Sequence, residues 1–364
     1  MQDGTNDLNI YGGDWWKANE MMDRALNFAG YAVKHAWGEG GHNGKHGTAI
    51  FPEAMRWLWK NYPEKIIPTE KNKNPFLNDV LIENQGWELV GEGYQFSEGT
   101  IANAAGEVFF VDIRTSKSYK VGLDGKITEL LVPDKKSTGQ AFGADGNRYV
   151  VSRGALQIVK FDKENKETII AENQSGNDIV VVKNGNVYFT APDGREKPSK
   201  LYLIRPTGEK VEVDDGLIFA NGITLSPDQT QLYVTESMTH WVWAYQIQAD
   251  GKLVHKQKFG WLHTRDNEDF AWGDGLKCDR DGRIYVATRR GMQILDQLGR
   301  VNAIIPVPTG TSSNLCFGGK DFDTIYVSSV DKVYKRKVKT LGQILLICRI
   351  SRRLRGCKSL IPPE

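Results

Sequence analysis

The chain has 364 residues, enough for two domains or one large repeat architecture, and its 40% hydrophobic and 25% charged residues make up an ordinary globular composition with a sizeable core. A formal net charge of +2 excludes nucleic acid or an anionic membrane face as the main partner, since either requires a concentrated basic surface. The four cysteines lack zinc-like spacing and form no disulfide framework: Cys278 and Cys316 fall in predicted strands, and Cys348 and Cys357 lie near the C-terminus.

Met21, Met22, Ala25, Leu26 and Phe28 recur with helical spacing, so a helix is expected over Ala18–Phe28 with Gly30 as its stop. AVKHAW, residues 32–37, alternates like a strand and breaks into the Gly-rich run GEGGHNGKHG. A second helix is expected from Thr48 to Tyr62. This order of elements, with the turn GTND before and GGH after the strand, resembles the C-terminal part of α/β-hydrolases related to enterochelin esterase. The resemblance implies that Asp7 and His42 are the acid and the imidazole of a triad whose Gly-x-Ser-x-Gly nucleophile motif does not precede them in this sequence. An acid and a base without a nucleophile cannot run acyl transfer, so residues 1–66 are read as a truncated, vestigial esterase piece. Four of its tryptophans, Trp15, Trp16, Trp57 and Trp59, are expected to lack an adequate core.

Lys, Asn and Pro crowd the next stretch, and residues 67–84 read as a linker. WELVGEGYQF, residues 87–96, predicts a strand placed to close a ring by pairing with the last repeat. From there a motif recurs six times at roughly forty-residue intervals, the period of a four-stranded propeller blade. The units are SEGTIANAAGEVFFVDI, TGQAFGADGNRYVVSR, SGNDIVVVKNGNVYFTAP, ANGITLSPDQTQLYVTES, GDGLKCDRDGRIYVAT and SNLCFGGKDFDTIYVSS. The expected fold is all-β, a six-bladed β-propeller over residues 85–340, with the incomplete α/β segment in front. Glu98, Asn177, Asn221 and Asp274 open four of these units, and equivalent positions in a propeller point to one end of the channel. Asn-Gly and Asp-Gly are also ordinary turn pairs, which is the competing reading of each taken singly.

Two carboxylates with two amide oxygens form an all-oxygen set suited to a hard divalent cation, Ca²⁺ first, with Mg²⁺, Zn²⁺ or Mn²⁺ also tolerated. The ordered series Phe96-Ser97-Glu98-Gly99, Asn177-Asp178, Asn221-Gly222, Asp274-Gly275 and NLCFGG at 314–319 resembles the SMP-30/gluconolactonase family across Trp87–Lys339. That resemblance implies a channel-mouth metal on Glu98, Asn221 and Asp274, with Asn177 as a fourth ligand or a substrate contact, and hydrolysis of a lactone or related ester. Asp274 would double as general base. Ser175, Trp272 and Arg289 are further candidates for the substrate wall, with His240 and Arg290 beside them, whereas Trp241 and Trp243 read as blade packing.

Departures from the family pattern narrow the substrate. Thr100 stands where the family has Pro, and Ser175 stands where sugar lactonases carry an Arg, so one cationic contact to a sugar acid lactone is missing. DRDGR (279–283) and NAAGE (103–107) look like short calcium loops but sit at hairpin tips and read as turns. Residues 341–364 lose the blade pattern and form an atypical basic tail. No export signal or bilayer-length apolar run is visible, the compartment and oligomeric state stay open, and the secreted habit of the esterase relatives points to a periplasmic or secreted parent. The alternative to a hydrolase is a propeller that binds a ligand or partner without turnover, appended to an esterase.

Overall fold

A computed structural model describes residues 1–10, 13–28, 31–64, 75–132 and 134–343. The chain divides into two compact units, Met1–Asn78 and Asp79–Glu364. Residues 67–74 of the expected linker, and the basic tail from 344 on with Cys348 and Cys357, lie outside the described residues.

In the first unit a parallel pair, Gln2–Asn6 with Ala36–Gly41, lies beside two helices, Trp15–Phe28 and Gly44–Leu58. The strand therefore runs through the glycines, later than the expected residues 32–37. The two strands approach closely there: a Cβ on Gly4 would stand 2.2 Å from Gly40 O, and one on Gly41 would stand 3.1 Å from Asn6 O. Both helices also begin earlier than expected, because polar caps precede them. Asp14 Oδ1 accepts the Lys17 N–H (3.0 Å), and Asn43 Oδ1 accepts the Lys45 N–H (3.0 Å). The Gly44–Leu58 helix has no buried residue, and Trp15 and Trp59 are 43% and 59% exposed, in line with the expected shortage of core. Part of the expected linker is helical instead, Pro75–Val80, with Pro at its first position where no amide partner is lost.

The second unit is a six-bladed β-propeller of four-stranded sheets. The first strands of the blades are Ser97–Ala102, Ser137–Phe142, Ile179–Val181, Ala220–Leu225, Leu276–Cys278 and Asn314–Gly318, and each touches the next in a closed ring. Closure is made by Glu88–Glu92, which joins the last blade as its fourth strand against Lys332–Lys337, as the position of WELVGEGYQF implies. Hairpins inside a blade turn on glycines such as Gly106 and Gly185, both at φ +86°, a conformation that L side chains rarely adopt.

Burial explains the sequence signature of the second strands. Val187–Ala191, VYFTA, is buried along its whole length because neighbouring blades cover both faces, so the run is continuous rather than alternating. The outermost strand Lys210–Ile218 is mostly exposed or half-buried and alternates over its first four residues. Hydrophobic clusters fill the seams between blades, with Tyr188, Leu201, Leu203, Ile223 and Leu232 sealed between the third and fourth. Each such Leu or Ile contributes about 1.5–3 kcal/mol of burial, which makes the seams the main source of stability. Among the described residues no helix is long and apolar enough to cross a membrane.

Candidate metal and active site

Glu98, Asn177, Asn221 and Asp274 all line one cavity of about 480 Å³ at the mouth where the first strands begin. The opposite end of the channel narrows to about 70 Å³ among Ile101, Ala141, Val180, Leu225 and Phe317. There Gln343 Nε2 donates to Leu225 O (3.0 Å).

The glycines that follow three of these residues are not turn glycines. A Cβ on Gly222 would stand 2.4 Å from Asp274 O, and one on Gly275 would stand 2.5 Å from Asn314 Cγ. Gly222 admits the backbone of the next blade's first strand and Gly275 admits the Asn314 side chain of the blade after it, which settles the Asn-Gly and Asp-Gly pairs in favour of ring packing. Hydroxyls then pin the ring in register. Thr138 Oγ1 donates to Asn177 O (2.6 Å), Thr190 Oγ1 to Asn221 O (2.6 Å), and Thr235 Oγ1 to Asp274 O (2.8 Å). One blade thus fixes the backbone of the site residue in the next. Thr100, in place of the family's Pro, ties the first blade to the last instead, its hydroxyl 2.5 Å from Ser328 Oγ.

Side chains are oriented as firmly. Glu98 is buried, and its Oε2 accepts the Gly99 N–H (2.6 Å) and the Asn314 Nδ2–H (2.9 Å). Asn221 donates from Nδ2 to Ser237 Oγ (3.0 Å), whose own hydroxyl donates to Gly273 O (2.6 Å). The amide carbonyl of Asn221 is left as an acceptor. A third carboxylate, Asp178, lies just behind, 2% exposed, accepting the N–H groups of Ile179 (2.9 Å) and Ile223 (3.2 Å).

No ion pair reaches Glu98, Asp178 or Asp274 among the described residues. Burial pushes Glu98 up to about 7 despite its two hydrogen bonds. Asp178 is raised by burial as well, and Asp274 is held well above the carboxylate range, first by burial and then by the charges of Glu98 and Asp178. Lys277, further down the channel, partly offsets Glu98 and Asp178. The site is therefore a set of buried acids with too little positive charge. Among the described residues no three His, Cys, Asp or Glu side chains are spaced as a metal cluster, so this set depends on Asn oxygens to complete it.

Trp272 and Arg289 line the cavity, the guanidinium 3.7 Å from the ring centroid. Ser175 is not in the wall. Nor are His240 and Arg290, contrary to expectation: His240 is spent on Leu262 O (2.7 Å) and Asp269 O (3.1 Å), and Arg290 Nη1 donates to Thr264 O (2.6 Å). Phe219, Trp272 and Val330, at φ +58°, +53° and +59°, hold bulky side chains in the left-handed region at the rim, a concentration of backbone strain around one cavity. Three arginines of the rim, Arg114, Arg153 and Arg195, escaped the sequence reading, as did Asn314 and Asp178 in a supporting role. The loop between a blade's second and third strands was the available signal for the arginines. DRDGR and NAAGE are turns, Asp279 Oδ1 accepting the Asp281 and Arg283 N–H groups and Asn103 Oδ1 those of Ala105 and Glu107. Cys278 and Cys316 are buried free thiols.

In the first unit Asp7 and His42 meet, Oδ1 to Nδ1 at 2.9 Å, with Trp15 edge-on to the imidazole at 5.1 Å between centroids.

Fold and site define a class: a closed six-bladed propeller with an all-oxygen, acid-rich floor at one channel mouth. The chain belongs to the SMP-30/Gluconolactonase/LRE-like family, whose region matches residues 96–331. It is 26% identical over 309 residues to a gluconolactonase of Zymomonas mobilis, covering 74% of this chain and 86% of that protein. It is 22% identical over 231 residues to a pentonolactonase of Haloferax volcanii, covering 61% and 77%. Among solved structures, a calcium-binding protein, regucalcin, from Agrobacterium tumefaciens superposes with a TM-score of 0.62 at 17% identity, covering 71% of this chain and 95% of the other.

Proposed function

We propose that this protein is a metal-dependent lactonase that opens a lactone or related cyclic ester at the wide channel mouth. The observation that carries the reading is the set of buried carboxylates, Glu98 and Asp274 backed by Asp178, which converge on a cavity without a compensating ion pair. Such a set is costly in an empty site and is satisfied by a divalent cation. Glu98, Asn221, Asp274 and Asn177 would hold it, the two acids matching its charge and the two amides adding oxygens without repulsion. The calcium-binding regucalcin fold and the named sugar lactonases support Ca²⁺ and a lactone substrate.

Asn314 and the Gly99 N–H hold the Glu98 carboxylate in one orientation, and Ser237 holds Asn221, so the floor is organised before substrate arrives. When bound, the cation supplies Lewis-acid polarisation of the ester carbonyl. Asp274 accepts the proton of the attacking water and returns it to the ring oxygen as the acyl–oxygen bond breaks. Trp272 and Arg289 form the wall against which the ring rests. The Asp7–His42 pair belongs to the other unit, is the vestige of an esterase acid–imidazole pair, and takes no part.

The test is hydrolysis of gluconolactone, a pentonolactone, an aliphatic lactone and an aryl ester by the full chain, stripped with chelator and reloaded with single metals, beside Glu98→Gln and Asp274→Asn. Metal-restored lactone opening lost in both variants supports the reading. Tight metal binding with no turnover of any ester overturns it and leaves a binding propeller.

A further inference from the structure

The connection between the second and third strands reaches the cavity in every blade, and in chain order it presents Arg114, Arg153, Arg195, Met238, Arg289 and Val330. Four of these six are arginines. Arg289 is engaged, with Nη1 3.3 Å from Glu268 Oε1 and its plane on Trp272. Arg195 also faces the Trp272 ring, at 5.3 Å. Arg114, Arg153 and Arg195 have no ion pair among the described residues, and all three are exposed. They come from three consecutive blades, so the ring places them along one arc of the mouth.

Guanidinium groups gathered without counterions repel one another, and a planar fork of N–H donors matches an oxyanion with two acceptor atoms. Glu98 and Asp274 supply the acidic part of the same wall but lie on the floor, where the proposed cation would consume their charge. The rim is then left with an excess of positive charge facing the entrance.

We infer that the substrate is an anionic lactone or ester, bearing a carboxylate or phosphate that Arg114, Arg153 and Arg195 grip while its ring lies on the floor. This rests on the lactonase reading for the ring and adds the charged group. It also bears on Ser175, where sugar lactonases carry an Arg: the cationic contacts proposed here come from the inter-strand loops instead.

The experiment compares gluconolactone with two anionic compounds on the same skeleton, glucaric acid monolactone and phosphogluconolactone, using the calcium-loaded full chain at low and high salt. One anionic compound is expected to be opened with kcat/KM at least about tenfold above gluconolactone, the contribution of one or two charge-assisted hydrogen bonds. Whichever arm wins separates carboxylate from phosphate. The preference should shrink as salt rises and should collapse in Arg153→Gln and Arg195→Gln, with melting temperatures unchanged. Equal rates on all three compounds, or a preference indifferent to these substitutions, would overturn the proposal. If no lactone is opened, calorimetric titration of glucarate and of inorganic phosphate into the same proteins separates the two failures. Arginine-dependent anion binding would keep the anion site and remove the hydrolase; binding indifferent to the arginines, or none, would remove the anion site.

Discussion

Each unit of this chain brings an acid to a polar partner, and the two sites differ in burial more than in residue type. In the first unit Asp7 meets His42 at 2.9 Å, but the His42 side chain is 53% exposed and solvent shares the interaction. Asp7 is held below the usual carboxylate range, chiefly by the Leu8 N–H, and so stays an ordinary anion. In the propeller, Glu98 and Asp274 also accept good hydrogen bonds, yet burial overrides them and drives both upward. A pair of chemically plausible groups at bonding distance is thus a weaker sign of function than a buried charge left without a partner.

The largest way to sharpen the contrast is to remove one acid from each site. Asp274→Asn should lower lactone kcat by about 10²–10⁴-fold, the usual scale for a lost general base, whereas Asp7→Asn should leave it unchanged in a spectrophotometric assay. Loss of activity in Asp7→Asn would reverse the assignment of roles.

Titration of the chelated protein comes next. Glu98 holds its proton up to about 7 in the folded state, above its ordinary 4.5. The folded state therefore binds the proton more tightly than the unfolded one. Its stabilising effect is complete below about 4.5 and is lost as pH rises through about 7, a change of about 3 kcal/mol at most. Urea unfolding of metal-free protein at pH 5 and pH 8 should show the loss, and excess Ca²⁺ at pH 8 should restore it. A metal-free protein more stable at pH 8 would contradict the burial argument.

Smaller effects probe the supports. Gly222→Ala drives a Cβ to within 2.4 Å of Asp274 O and should cost about 1–3 kcal/mol in denaturant unfolding. Asn314→Ala removes the donor that fixes Glu98 and should weaken metal binding about 10–100-fold by calorimetry, with little change in fold. His42→Gln should be the mildest change, shifting the melting temperature less than any of these.

Much of the propeller was legible because its physics is periodic. Glycine-tipped hairpins, the VYFT-type strands between covering blades and the closing strand at Glu88–Glu92 all leave marks in sequence order. The floor residues were legible for the same reason, since each opens a repeat. The glycines beside them were ambiguous: the same Asn-Gly pair serves a turn or a close strand approach, and only the neighbouring blade, far away in sequence, decides between them. Asn314 and Asp178 act on groups brought near by ring closure, and Arg114, Arg153 and Arg195 sit in connections that recur in every blade but share no residue motif. The first unit misled for a related reason. Its strand is AWGEGG, which no propensity favours, and its pairing with Gln2–Asn6 depends on the missing side chain of Gly4, which the Gly40 backbone approaches closely.

The central claim is that the buried acids of the channel mouth hold a cation. Calorimetric titration of Ca²⁺ into chelated protein, run beside Glu98→Gln and Asp274→Asn, tests it most directly. One site per chain is expected, weakened at least about tenfold in each variant, by analogy with the cost of disturbing a metal's surroundings. Calcium binding that ignores both substitutions, or no binding at all, would contradict it.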